Sequence, residues 1–194
     1  GAEIDALDPN GFEERLGEIA GEAGRFLDAT SLASDQVFRS MLEQALFAVT
    51  RKLAQLLAAE RASLFLVDRR TQTLWLRITE GLEGKEVRIP IGSGIAGAVA
   101  ASGVGERIDD AYADPRFNPD VDRMFAYRTR SILCLPIVDR SGAVFAVAQV
   151  LNRRDGRPFD AEDERKTAGL LASIGQILET LQAMRWDGRE RRQR

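Results

Sequence analysis

Residues 131–151 read SILCLPIVDRSGAVFAVAQVL, and this stretch decides the fold. Two apolar, β-rich runs, Ser131–Val138 and Val144–Leu151, flank the polar turn Asp139-Arg140-Ser141-Gly142. Such a pattern predicts two antiparallel strands joined by a hairpin. Upstream, Ser63–Val67 and Leu74–Ile78 make a similar pair about Asp68-Arg69-Arg70-Thr71-Gln72, and Glu86–Pro90 adds a third strand. Gly92-Ser93-Gly94 then opens a helix of small residues, Ile95–Ala101, which Ser102-Gly103 ends. Residues Asp109–Tyr127 are loop-rich, with a short helix expected at Asp120–Ala126. Helical patterns flank the strands. Phe38, Leu42, Leu46, Val49, Leu53 and Leu56 recur at steps of three and four over Gln36–Glu60. A final helix is expected from near Asp160 to about Trp186, after the turn Asp155-Gly156-Arg157-Pro158. A shorter helix at Phe12–Leu27 and a connection rich in capping residues, Ala29–Asp35, precede them all. The order of helices, antiparallel meander and helix predicts an α+β fold with helices packed on one face of the sheet.

Composition narrows the function. In 194 residues, hydrophobic side chains make up 44% and charged ones 29%, which places the chain among globular rather than disordered proteins. No apolar run approaches the ~18 residues that cross a bilayer, and no signal-peptide pattern opens the chain, so a cytoplasmic location is expected. There is no histidine, which excludes a histidine-based catalytic triad, histidine metal ligands and histidine-ligated haem. The single cysteine, Cys134, excludes an internal disulfide, a cysteine zinc cluster and a dithiol redox centre. Charge is uneven: residues 1–60 carry 5 basic and 11 acidic side chains, whereas residues 185–194 carry 5 basic and 2 acidic. The net charge of −3 does not suggest a nucleic-acid partner, and the basic tail reads as a solvated helix end. The first residue, Gly1, reads as a protease scar or a cut inside a longer protein.

Several constellations carry chemistry. In Gly92-Ser93-Gly94-Ile95-Ala96-Gly97, glycines at the mouth of a helix let backbone N–H groups approach an anion, yet the same residues also make a tight strand-to-helix turn. The loop-rich stretch Asp109–Arg130 holds Arg116, Phe117, Asn118, Asp122, Arg128 and Thr129, enough donors, acceptors and aromatic surface to enclose a polar ring-containing ligand. It also reads as a solvated loop with Phe117 and Phe125 tucked inward. Arg153 and Asp163 are expected to pair, tying the last strand to the final helix over Phe159, a structural role. No catalytic set emerges. The carboxylate pairs Asp109-Asp110 and Asp163-Glu164 are adjacent and point apart, Ser63 and Ser93 lack a histidine base, and Cys134 sits in an apolar strand as an inert thiol. In the final helix, Leu170, Ile174, Ile177, Leu181 and Met184 form a seam. It suits packing on its own domain or pairing with a second chain.

Four strings resemble the GAF domain family. They are Ala59–Asp68, Val87–Pro90 with Gly94–Gly97, Asp110–Phe117, and Arg128–Cys134. The segment Asn152-Arg153, Phe159, Asp163-Glu164 is similar to the signature of the cyclic-nucleotide-binding subgroup found in phosphodiesterases and bacterial adenylyl cyclases, with Arg for Lys. The likeness spans residues 36–184, leaving residues 1–35 as a helical extension and residues 185–194 as a basic tail leading to an output domain outside the chain.

The resemblance implies a six-stranded antiparallel sheet with helices packed against it, long flanking helices, and a ligand beneath the loop-rich segment. In similar domains the cyclic phosphate meets the N–H groups of residues matching Ile95 and Ala96. By position, base and sugar fall near Ser63, Thr79, Glu80, Asn118, Asp122, Phe125, Arg128, Thr129 and Gln149. The signature residues Asn152, Arg153, Phe159, Asp163 and Glu164 have a structural role, not direct ligand contact. Phosphodiesterase relatives have an aromatic–acidic pair where Thr79-Glu80 stands and Glu in place of Gln149. Val147–Asn152 is more similar to the bacterial cyclase domains, which favours cAMP over cGMP. The expected protein is a sensor domain rather than an enzyme, needing no cofactor or metal, acting as a parallel homodimer and signalling through its flanking helices. The alternative is a GAF module without cyclic nucleotide, serving dimerisation or sensing another small molecule. Methionine-sulfoxide reduction needs more than one cysteine, and a bilin needs an attachment Cys-His pair. Asp122→Ala and Thr129→Ala are expected to weaken ligand binding with little loss of fold.

Overall fold

The computed structural model describes residues 35–77, 86–139, 141–172 and 175. The helix expected at Phe12–Leu27, the pair Thr79-Glu80, the seam residues Ile174, Ile177, Leu181 and Met184, and the basic tail lie outside the described residues. The chain falls into two compact units, one of Gly1–Val49 with Gly169–Arg194, the other of Thr50–Ala168. In the first, the described side chains of Val49, Leu170 and Leu171 are buried. The second contains the whole sheet.

Helix α1 spans Asp35–Leu56. Strands β1 (Ala59–Asp68), β2 (Thr73–Arg77) and β3 (Glu86–Pro90) follow. Helix α2 (Gly94–Ser102), strand β4 (Glu106–Ile108), a 3₁₀ turn (Ala111–Ala113) and helix α3 (Pro119–Met124) come next. Strands β5 (Ile132–Val138) and β6 (Val144–Arg153) lead to helix α4, described over 161–172. The strands form one sheet in the order β3-β2-β1-β6-β5-β4, every neighbouring pair antiparallel. Among the described residues no helix is long and apolar enough to cross a membrane.

One expectation from the residue pattern needs correction. The first helix ends at Leu56, not Glu60. The apolar stripe ends at Leu56 itself and no Gly or Pro follows to mark the stop, but Ala58 takes φ +46° and Ala59 already pairs with Arg153. Glu60 is therefore the second residue of β1, a position that matters below. The sixth strand that the resemblance implies is β4, whose position the residue pattern did not show. Three residues are too few to show alternation, and its existence rests on the ladder from Ile108 to Ile132 through Glu106 to Cys134. That ladder stops at Cys134, so Pro136, with no N–H to donate, sits where β5 is an edge strand.

Both faces of the central strands β1, β6 and β5 are buried. Along β5, Ile132, Leu133, Cys134 and Leu135 are all less than 5% exposed. A near-continuous apolar run of this kind belongs to a strand covered on both sides. On one face Phe65, Leu74, Ile132, Cys134 and Val147 form a cluster with Ile95, Ala96 and Val99 of α2 and with Ala111. Burying an aliphatic side chain in such a cluster contributes about 1.5–3 kcal/mol. The opposite face carries Leu64, Leu66, Leu133, Leu135, Ile137, Ala146, Ala148 and Val150, also buried.

Candidate functional site

Strand alternation places Ser63 and Gln149 on the same face as Phe65, Val147 and Cys134. They are direct cross-strand neighbours: Ser63 pairs with Gln149, and Gln149 with Cys134. Two polar side chains thus stand in an otherwise apolar floor. Burial pushes the Cys134 thiol up, so it stays protonated and inert.

Helix α2 lies over this floor. Its entry turn is built from backbone alone: Gly92 N donates to Gly97 O at 2.8 Å and Ser93 N to Pro90 O at 3.0 Å. A Cβ on Gly97 would stand 2.6 Å from Pro90 O, so only glycine lets the helix approach β3 this closely. Gly94 takes φ +65° at the first helical position, a left-handed conformation that disfavours any side chain. Ser93 occupies the N-cap but makes no side-chain hydrogen bond to the helix. The first-turn amides, including those of Ile95 and Ala96, have no intrahelical acceptor, and the helix dipole adds partial positive charge there.

The segment from Asp109 to Arg130 begins beside the floor, with Ala111 and Phe117 packed into the same cluster. Its fastening is done by side chains. Asp110 caps the 3₁₀ turn by accepting from Tyr112 N, and Asn118 caps α3 by accepting from Asp120 N at 3.0 Å. The Arg116 guanidinium is forked between Glu106 (2.8 and 2.5 Å) and Asp114 (3.0 and 2.7 Å). Asp122 is 4% exposed. It accepts from Thr129 N (2.6 Å), Thr129 Oγ1 (2.7 Å) and Tyr112 OH (3.1 Å). The Tyr112 ring lies between Phe117, at 5.0 Å with an interplanar angle of 51°, and the Arg128 guanidinium, 4.0 Å from its centroid. Burial, then the Asp122 carboxylate, pushes the Tyr112 hydroxyl pKa up.

The candidate ligand residues thus divide. Ser63 and Gln149 are neighbours on the floor, and Ile95 and Ala96 open α2 above it. In the cover, Asp122 and Thr129 are bonded to each other, Asn118 is occupied as a cap, Phe125 is half-buried at the end of α3, and Arg128 is stacked on Tyr112. Thr79 and Glu80 lie outside the described residues. Because Asp122 satisfies three donors from a buried position, its removal is a structural event as well as a chemical one, contrary to the expectation that Asp122→Ala spares the fold.

The signature residues form a second group. Arg153 Nη1 lies 2.5 Å from Asp163 Oδ2, while its Nε and Nη2 reach Asp155 at 3.2 and 3.0 Å. Three nitrogens in a planar fork serve two carboxylates from different directions, a geometry that the point charge of a lysine ammonium does not reproduce. Asp163 also accepts from Asp160 N, and Asp160 accepts from Asp163 N, a reciprocal cap at the start of α4. Phe159 is 2% exposed, and Glu164 pairs with Arg107 of β4 at 2.8 Å. Asn152 is fully buried with φ +52°.

Sequence reasoning missed Glu60, Tyr112 and Tyr127. Glu60 stood both at the end of the expected first helix and in the string Ala59–Asp68 that resembles a GAF strand, and neither reading gave its side chain a role. The two tyrosines stood inside or beside quoted motifs, and their only signal was a phenol hydroxyl in a segment that caps itself with carboxylates. Burial alone would push the Glu60 carboxyl up, but hydrogen bonds from Arg130, Asn152 and Tyr127 outweigh it and hold the pKa at about 2. Among the described residues no group of His, Cys, Asp and Glu can hold a metal ion.

Comparison with known proteins agrees with this architecture. A family model described as the GAF domain matches residues 41–178. The chain is 38% identical over 143 residues to the dual 3′,5′-cyclic-AMP and -GMP phosphodiesterase 11 of Drosophila melanogaster, covering 66% of this chain and 10% of that protein. It is 43% identical over 122 residues to the probable 3′,5′-cyclic phosphodiesterase pde-5 of Caenorhabditis elegans, covering 57% of this chain and 16% of that one. The chain therefore spans only a small fraction of the length of these relatives. Among solved structures, the GAF domain of a phosphoenolpyruvate-protein phosphotransferase from Coxiella burnetii superposes with a TM-score of 0.63. It covers 88% of this chain and 96% of that one at 22% identity, a likeness of fold.

Proposed function

Because this chain belongs to the GAF domain family, a class of regulatory module, we propose that it is a sensor domain that encloses a cyclic nucleotide between the sheet floor and the Asp109–Arg130 segment, with cAMP favoured over cGMP. The observation that carries the reading is the amino end of α2. Its entry is built from glycines and backbone bonds, its N-cap side chain makes no bond to it, and it opens over the floor that holds Ser63 and Gln149. A cyclic phosphodiester is a compact monoanion, and the amides of Ile95 and Ala96 supply the donors and the dipole to receive it. Ser63 and Gln149 offer hydroxyl and amide groups to the sugar and the base. A carboxamide can present donor and acceptor to the adenine edge, and a mismatched edge costs about 1–3 kcal/mol through an unpaired group. The cyclic-nucleotide phosphodiesterase relatives support the same ligand class.

Sensing then requires that ligand bind one arrangement of the flanking helices better than another. The chain acts as a cytoplasmic parallel homodimer whose α1 and α4 carry this bias to an output domain. The test is direct. The purified protein is denatured, released small molecules are identified by mass spectrometry, and the ligand-free protein is titrated calorimetrically with cAMP and cGMP. Co-purified cyclic nucleotide, or a saturable isotherm tighter for cAMP, is expected. No release together with flat titrations for both nucleotides would refute the ligand.

A further inference from the structure

The cover segment is fastened at its carboxyl-terminal root by one carboxylate and one amide, neither of which belongs to the segment. Glu60 Oε1 accepts from Arg130 Nη2 at 2.6 Å, and its Oε2 accepts from Tyr127 OH at 2.8 Å and Asn152 Nδ2 at 3.0 Å. Asn152 Nδ2 also donates to Tyr127 OH (2.9 Å) and Arg128 O (2.8 Å). Its Oδ1 accepts from Arg130 N (2.6 Å) and Ser131 N (3.2 Å). Arg61, next along β1, lays its guanidinium 3.9 Å from the centroid of the Tyr127 ring. Every residue from Tyr127 to Ser131 is thereby held from outside the segment, except Thr129, which Asp122 holds from within.

The same node reaches the other end of the segment. Arg130 O accepts from Ala111 N at 2.7 Å, so whatever holds Arg130 holds both roots together. Asn152 takes its left-handed φ in the last turn of the β6 ladder, a conformation that asparagine tolerates better than most residues. The exposed part of the node, Arg130 against Glu60, is worth little by itself, since the two side chains are 47% and 32% exposed. The part that reaches inward matters more: Asn152 is buried, and without the Glu60 carboxylate its amide and the half-buried Tyr127 hydroxyl lose an acceptor they share.

We propose that Glu60, acting through Tyr127 and Asn152, is a positioning residue that keeps the Asp109–Arg130 segment closed and so sets the residence time of the ligand beneath it. The inference rests on reading this segment as the cover of a ligand site. It is tested on the full chain with Glu60→Gln, and with Tyr127→Phe as a second variant that keeps the ring and removes only the hydroxyl. In Glu60→Gln, amide hydrogen exchange of the ligand-free protein is expected to accelerate about five- to tenfold across residues 109–130 and to stay unchanged in β1, β5 and β6. Dissociation of cAMP or cGMP rises by a similar factor with little change in association rate, and Tyr127→Phe shows the same pattern at smaller size. Unchanged exchange in the segment, or acceleration spread over the sheet, would overturn the proposal, the latter because it marks a merely structural residue. If neither nucleotide binds the wild-type protein, the ligand reading fails by itself, while the exchange pattern still decides whether Glu60 holds the segment.

Discussion

The floor of the site and its cover are built by different physics. The floor, from β1, β6 and β5 with α2 laid over it, is held by backbone ladders, by a buried apolar cluster and by glycines that allow close approach. The cover, from Asp109 to Arg130, contains no strand. It is held by aspartate and asparagine caps, the forked Arg116, the Asp122 acceptor and the Glu60–Asn152 node. Backbone and apolar packing form a cooperative unit, whereas a side-chain network opens locally at a cost well below that of global unfolding. Under the proposed function, the floor would define the ligand and the cover would close over it. The contrast predicts that damage to the floor unfolds the domain and damage to the cover loosens one segment.

The largest effect is expected on the floor side. Gly97→Ala puts a Cβ against the backbone oxygen of Pro90, which has no rotamer to move to, so α2 must shift from β3. Loss of about 3 kcal/mol in urea unfolding is expected, and a loss within experimental error would show that the helix entry is not close-packed. Next, Asp122→Ala strands the Thr129 amide and hydroxyl, both buried, and is expected to cost about 2–3 kcal/mol while protection in β1 and β6 stays intact. Equal loss of protection in sheet and cover would break the distinction between the two regions.

A smaller effect comes from acid. The Glu60 pKa is lowered from its ordinary value of 4.5 to about 2, so its contribution is complete above the unfolded value and is lost as pH falls through that window. Wild-type stability should exceed that of Glu60→Gln by about 1 kcal/mol near neutrality after allowance for solvent screening. The two should converge between pH 4.5 and about 2 in acid unfolding followed by circular dichroism. A constant difference across that range would mean that the carboxylate does not carry the node. Smallest of all, Arg69→Ala removes an ion pair to Asp139 at 3.3 Å whose arginine is 58% exposed, and should change stability by less than about 0.5 kcal/mol. A larger change would mean that the hairpin tips are more tightly coupled than their exposure implies.

How legible each region was follows from the same difference. In the sheet and its helix, β3 appears at its observed bounds from a five-residue run, and α2, β5 and β6 within a residue or two, because alternation and glycine punctuation are local signals. The Arg153–Asp163 pair was readable from opposite charges on either side of a turn, and the resemblance gave it the same structural role. β4 was not, since three residues show no period. In the cover, the sequence displayed the right ingredients without their pairings: Asp122 and Thr129 stand seven positions apart, and Tyr112 is ten from Asp122. Glu60 reaches Tyr127 across 67 positions and Asn152 across 92.

What the sequence determined by itself is the α+β architecture, most of the strands, the small-residue helix entry and the absence of histidine and of a second cysteine, all properties of composition or of residues within a few positions of each other. Only the tertiary structure decided where α1 stops, where the sixth strand lies, and that Glu60 and Asn152 fasten the cover. Those outcomes depend on which distant backbone a residue meets. Ala59 leaves the helix because Arg153 offers it a ladder, and the Glu60 pKa falls to about 2 because Arg130, Asn152 and Tyr127 come to it from remote parts of the chain.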